Sequence, residues 1–174
     1  MKKTTYISAL AFVLALVFSI ETQAQKFSKL DASPLDIAYL RASRNEKPTA
    51  KVIYSRPQLK GRSLEQLAPK GKVWRTGANE AAEIKFYKDV NFGGKPVKAG
   101  TYSLFTIPGD NEWTIILSND TDVWGAYNYK DSKDVVRVKA PVHKGDAVEA
   151  FSIAFDAGKM FLAWDTVRVA VPVK

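Results

Sequence analysis

No cysteine occurs anywhere in the 174 residues, and histidine occurs once, at His143. The first absence excludes disulfides, thiolate zinc sites and a cysteine nucleophile, and the second argues against His-rich metal centres. Oxygen-ligand cations such as calcium are the metals that remain, so no cofactor and no metal site is expected. Long hydrophobic runs are also missing. The one mostly apolar stretch, Ile7 to Ile20, is shorter than the roughly 20 residues that a membrane-spanning helix requires.

What that stretch does have is the layout of a secretory signal: Lys2 and Lys3 before it, Glu21-Thr22-Gln23-Ala24 after it, and small Ala24 where a signal peptidase would cut. No Cys follows, so a lipid anchor at that point is excluded. Residues 1–24 are therefore expected to be removed and the rest exported, to the periplasm or the outside of a Gram-negative bacterium, with no span left in a membrane. The formal charge of +8 favours an anionic partner. Nucleic acid is not expected as that partner, because the Lys and Arg residues are spread along the chain without a helix-turn-helix or RNA-binding signature.

Beyond the leader the pattern is one of short strands. Residues 25–50 read as a polar leader and a first strand, the short apolar segment Leu35 to Ala42 being ambiguous in type, and residues 51–174 as a single β-sandwich domain. Lys51 to Ser55 alternates and is closed by Arg56-Pro57. One short helix is expected near residues 63–68, where Ser63 can cap, Gln66 stands at the capping-box position, and Pro69 with Gly71 ends it.

Strands are then expected at Glu83 to Tyr87, Gly100 to Ile107, Trp113 to Ser118, Val135 to Lys139, Val148 to Phe155, Met160 to Trp164 and Thr166 to Val173. Gly93-Gly94, Pro108-Gly109-Asp110-Asn111 and Asp156-Ala157-Gly158-Lys159 are turns of hairpin length, which makes neighbouring strands antiparallel. One-sided apolar sets such as Trp113, Ile115 and Leu117 need a covering layer. The expected fold is all-β: a single antiparallel β-sandwich of about eight to ten strands, or alternatively a partly closed β-barrel.

The stretch Gly71 to Phe86 carries the most chemistry. Alternation back from Phe86, Ile84 and Ala82 puts Glu80 on the apolar face, where a lone carboxylate is costly to desolvate, so Arg75 is expected to pair with it under the sheet rim. Such a pair either pins the Trp74 turn structurally or forms a site in which Arg75 forks onto an anionic group. Trp74, Trp124, Tyr127 and Tyr129 either cap the core or form an aromatic platform for a flat ligand or sugar ring, with Trp124 to Tyr129 read as a loop. His143 lies in an expected exposed loop with no nucleophile motif beside it, Asn119 to Asp122 reads as a turn, and Asp165 as a bulge or tight connection.

Several of these blocks also occur together elsewhere. Gly71-Lys72-Val73-Trp74-Arg75-Thr76-Gly77-Ala78-Asn79-Glu80-Ala81, Ala99 to Pro108 and Trp124-Gly125-Ala126-Tyr127, with Pro57 and Lys60-Gly61-Arg62, resemble the bacterial domain-of-unknown-function family 2911 over most of the chain beyond residue 50. The resemblance implies an exported, mostly β protein and brings no catalytic residues with it. Three functions therefore remain in order of preference. The first is an envelope module binding a small anionic or carbohydrate ligand through Arg75, Glu80, Trp74, Trp124 and Tyr127. The alternative is a structural or protein-interaction protein of the envelope. The third is a hydrolase or lyase using Glu80 as acid or base and Arg75 to stabilise developing charge.

Overall fold

The computed structural model describes residues 25–174. The Ile7 to Ile20 run and the expected cleavage after Ala24 lie outside the described residues. Residues 25–30 carry no regular secondary structure, and the fold is built by residues 31–174. In chain order the elements are β1 (Leu35–Leu40), β2 (Ala50–Ser55), α1 (Leu64–Leu67), β3 (Ala82–Phe86), β4 (Val90–Phe92), β5 (Lys95–Val97), β6 (Gly100–Ile107), β7 (Glu112–Ser118), a 3-10 turn at Asp131–Lys133, β8 (Asp134–Asp156) and β9 (Lys159–Pro172).

Seven of the nine described strands form one antiparallel sheet in the order β1-β2-β3-β6-β7-β8-β9. The all-β antiparallel architecture is as expected, and of the two arrangements considered it is the partly closed one that describes the curl of this sheet into a half-barrel. The period-2 patterning sets the register. Ala82 pairs with Leu104, Leu104 with Leu117, and Leu117 with Val136, so a single row of buried apolar side chains crosses β3, β6, β7 and β8.

The curl comes from the two long strands. β8 pairs with β7 as far as Pro141 and then with β9, and twice, between Lys144 and Val148 and between Val148 and Ser152, four residues of β8 span two of β9. Unmatched residues on one side of a ladder bend and twist it. Sequence patterning alone divides each of these strands in two. The structure joins them through Pro141, Gly145 and Asp165, because surplus residues absorb the punctuation as curvature. His143 accordingly pairs with Arg168 inside the β8–β9 ladder and is not in a loop.

A side-chain seam draws the two margins of the half-barrel together. Beyond β2, Phe151 N–H donates to Pro57 O (2.9 Å) and Leu59 N–H to Glu149 O (3.1 Å). Arg56 then spans the gap: Nε donates to Phe151 O (3.1 Å), Nη2 to Ser152 Oγ (2.7 Å) and Nη1 to Asp36 Oδ2 (3.1 Å). Tyr54 OH accepts from Ile153 N–H at 2.9 Å. β1, whose segment the sequence leaves ambiguous, thus belongs to the sheet and contributes Asp36 to its closure.

Inside, the space is filled by rings. Trp74 stacks on Trp164 with centroids 5.4 Å apart and meets Phe151 edge-on at 4.9 Å and Trp113 at 6.2 Å. Trp74 is held in place by a two-way backbone bridge to Thr106, at 2.7 and 2.9 Å. A barrel so packed has no room for a central ligand. The β4–β5 hairpin adds Val90, Phe92 and Val97 to the same core, and its Gly93 is required there: φ is +57°, and a Cβ would stand 2.4 Å from Val138 Cγ1.

Helix α1 forms as the capping box predicts, with Gln66 N–H donating to Ser63 Oγ (3.3 Å) and Ser63 N–H to Gln66 Oε1 (2.9 Å). Among the described residues no helix is long and apolar enough to cross a membrane. Trp74→Ala empties the centre of the ring cluster and is expected to cost about 4 kcal/mol. Chemical denaturation monitored by near-ultraviolet circular dichroism measures it, and a loss under about 1 kcal/mol contradicts this view of the core.

Candidate aromatic loop site

The sheet face turned away from the ring core has a smaller cluster of its own. Phe105 pairs with Ile116, and these two with Ala81 are buried there, surrounded by half-buried Val73, Ile107, Val123, Ala126 and Tyr129. Alternation explains it: the same strands that aim Leu104 and Leu117 inward must aim Phe105 and Ile116 outward. The segment 119–130 covers them.

That cover is fastened along both margins. Ser103 Oγ donates to Asp120 O (2.7 Å), and Asp120 N–H donates to Ser118 Oγ (3.2 Å). On the other side, Ala81 N–H donates to Val123 O (2.9 Å), Gly125 N–H to Asn79 O (3.0 Å) and Asp122 N–H to Glu83 Oε1 (3.0 Å), and Glu80 and Trp124 form an antiparallel bridge. Asn119 to Asp122 is thus a turn of this loop, and among the described residues no group of three His, Asp or Glu side chains is placed to hold a metal ion.

On this fastened backbone two large aromatics face solvent: Trp124 is 62% exposed and Tyr127 78%. Gly125, at φ +70°, has the Tyr127 ring lying where a side chain would go, with Cε2 2.6 Å from an added Cβ. Beside Trp124 is a cavity of about 220 Å³ floored by Phe105 and Tyr129 and edged by Asp120 and Asn128. Tyr129 packs edge-on against Phe105 at 5.1 Å.

Below the loop sits a charged network that nothing in the sequence pattern announces. Tyr129 OH donates to Asp134 Oδ2 (2.5 Å), Arg137 Nε donates to the same oxygen (2.6 Å), and Arg137 Nη2 donates to Tyr129 OH (2.8 Å). Asp134 Oδ1 is buried without a partner among the described residues. Burial, reinforced by the bond to Asp134, raises the Tyr129 phenol well above its ordinary value, and the bond to Asp134 raises Arg137. Asp134 and Arg137 both lie in the first residues of β8, a place where charged residues ordinarily signal only solvent.

The expected Arg75 to Glu80 pair is not present. Thr76 and Asn79 adopt φ of +55° and +62°, which swings the chain out of the strand so that the inward alternation begins only at Ala82. Glu80 is exposed, and neither residue belongs to an ion pair among the described residues. Arg75 is half-buried, next to inward-facing Trp74, and its Nε is buried without a hydrogen-bond partner among the described residues. Trp74 itself is a core residue, its ring buried among Trp113, Phe151 and Trp164, and it cannot stack a ligand.

The structure therefore sets Glu80 opposite Trp124, with Tyr127 three residues further along the same loop, and leaves Trp74 out. Glu80 also lines a second cavity of about 310 Å³ with Glu83 and Asp122. The hydrolase or lyase reading needs a second titratable group near Glu80, and Glu83 is one, but Arg75 does not line this cavity.

The Tyr129 network has a pH signature. The folded state holds the phenolic proton more tightly than the unfolded chain, whose tyrosines titrate near about 10, so this stabilisation is present in full below that pH and is lost as pH rises above it. Asp134→Asn removes the negative charge and is expected to bring Tyr129 down toward the ordinary range. Ultraviolet difference titration against a Tyr129→Phe reference reads this, and an unchanged titration contradicts the network.

One family of known sequences matches this chain: that described as Protein of unknown function (DUF2911), over residues 36–173. No curated protein and no solved structure matches it.

Proposed function

Given that the chain belongs to this family of unknown function, whose description assigns no activity, we propose from the geometry that it is a small-ligand binding module of the cell envelope. The ligand is a carbohydrate or a small anionic ring compound, and the Trp124 loop is its site. One observation carries the reading: two large aromatic rings stand in solvent on a backbone that is hydrogen-bonded on both margins. Exposed rings held still bury large area on a ligand at small entropic cost.

Arg75 and Glu80 extend the reading. Arg75 belongs to no ion pair among the described residues, which leaves its guanidinium for an anionic group. Glu80, opposite Trp124 in its bridge, suits sugar hydroxyls. Export is supported by the Lys2-Lys3 and Ile7 to Ile20 pattern, and with it a periplasmic or extracellular location.

A second reading, envelope protein interaction, is favoured by a different feature. Leu35, Ile37 and Tyr39 are all exposed on one face of β1, the edge strand of the sheet.

A thermal-shift screen of the protein against glycans, cell-wall fragments, nucleotides and small organic acids separates the two. A ligand at about 100 times its Kd adds roughly 2.7 kcal/mol, or several degrees. The binding reading expects such a shift, lost in Trp124→Ala while the baseline melting temperature stays within about a degree or two. Silence across the panel, or a shift that survives Trp124→Ala, removes the loop from the function.

A further inference from the structure

A third cavity lies on the other face of the sheet from the aromatic loop's cluster, between α1, the β6–β7 turn and the β8–β9 pair. Its volume is about 460 Å³, within the ordinary range for small-molecule sites. The interior wall is apolar: Leu64 and Ala68 from the helical segment, Trp113 from β7, Val142 from β8 and Val167 from β9. Ala68 and Trp113 are almost fully buried there. The small C-cap residue Ala68 borders this space, and the β8–β9 ladder loses register beside it, beyond the Lys144–Val167 pair.

The mouth is polar and held open by defined contacts. Gly71 N–H donates to Pro108 O (2.9 Å), and the Lys70 ammonium bridges to Asp110 Oδ1 across the same gap. Glu65 Oε1 accepts from the Lys70 N–H at 3.2 Å. Two carboxylates and one ammonium leave the rim one charge negative, in a protein whose overall charge is +8. Asp110 Oδ2 and Glu65 Oε2 have no partner among the described residues, so the rim offers acceptors while its one cation is already engaged. Burying an apolar body while presenting a charged donor to those oxygens satisfies both parts of the site.

We infer that this cavity is a binding site for a small apolar primary amine, the hydrocarbon part lying against Trp113, Val142 and Val167 and the ammonium between Glu65 and Asp110. The site is separate from the Trp124 loop and does not depend on it. Both acids are exposed and outside the core, so replacing them leaves folding intact.

The test is a titration of the protein with hexylamine, hexanoate and hexanol, followed by the indole N–H signals in proton–nitrogen correlation spectra, with Trp113 assigned by Trp113→Phe. Hexylamine is expected to move the Trp113 signal saturably and to bind tighter than hexanol. The double variant Glu65→Gln with Asp110→Asn is expected to weaken it about three- to tenfold, the range for two partly solvated charge contacts. Ala68→Leu, which fills the cavity, is expected to abolish the Trp113 shift. Tighter binding of hexanoate, an amine affinity unchanged in the double variant, or a Trp113 signal that no amine concentration moves overturns the assignment. A shift that persists in a folded Ala68→Leu protein places the amine elsewhere and overturns it equally.

Discussion

The contact on which this fold depends is the stack of Trp74 on Trp164, with Phe151 and Trp113 closed around it. An open seven-stranded sheet has one apolar face and no partner sheet of matching size, so it must curl until that face meets itself. The rings make the curl worth adopting, because each buries far more area than an aliphatic side chain in the same layer. They also set its limit, since a cavity full of indoles cannot close further. The Arg56 seam takes over where the rings stop, with hydrogen bonds from one guanidinium replacing a stretch of ladder.

Filling the interior moves every candidate site to the outside. The aromatic loop and the apolar cavity by α1 both lie where a segment crosses over the sheet and leaves space at its margin. In each, the cross-over is fixed by backbone bonds to a neighbouring turn: Ala81 and Gly125 for the loop, Gly71 for the helix. The rigid sheet thus supplies precision, and the cross-over segments supply the side chains, a common division of labour between scaffold and loop.

The strands with clean alternation, from β6 and β7 in particular, could be read directly, as could the capping box of α1 and the loop at Trp124 to Tyr129, though not whether its rings cap the core or face solvent. Three things could not. Alternation carried back from Ala82 through Ala81 points Glu80 inward, and nothing in the residue pattern marks that Thr76 and Asn79 take left-handed backbone angles. β8 and β9 looked like four strands because Pro141, Gly145 and Asp165 usually end strands, whereas here the mismatch between the two ladders lets them sit within a bend. The Tyr129, Asp134 and Arg137 network depends on a register shift between Leu117 and Ser118 that brings Asp134 opposite Ser118. Local sequence carries no record of pairing between distant strands, so closure and network are both invisible to it.

The seam has one more implication, for the order of events during synthesis. Tyr54 meets Ile153 across 99 residues of chain, and the ring cluster likewise joins the middle of the sequence to its last strand. Until β9 has left the ribosome, the first strands have an apolar face and nothing to close against. The β1 margin must therefore wait for β8 before the seam can form, although β1, β2 and β3 already pair with one another. A polypeptide of this design can pair its early strands as they emerge but cannot close its interior until both long strands are available.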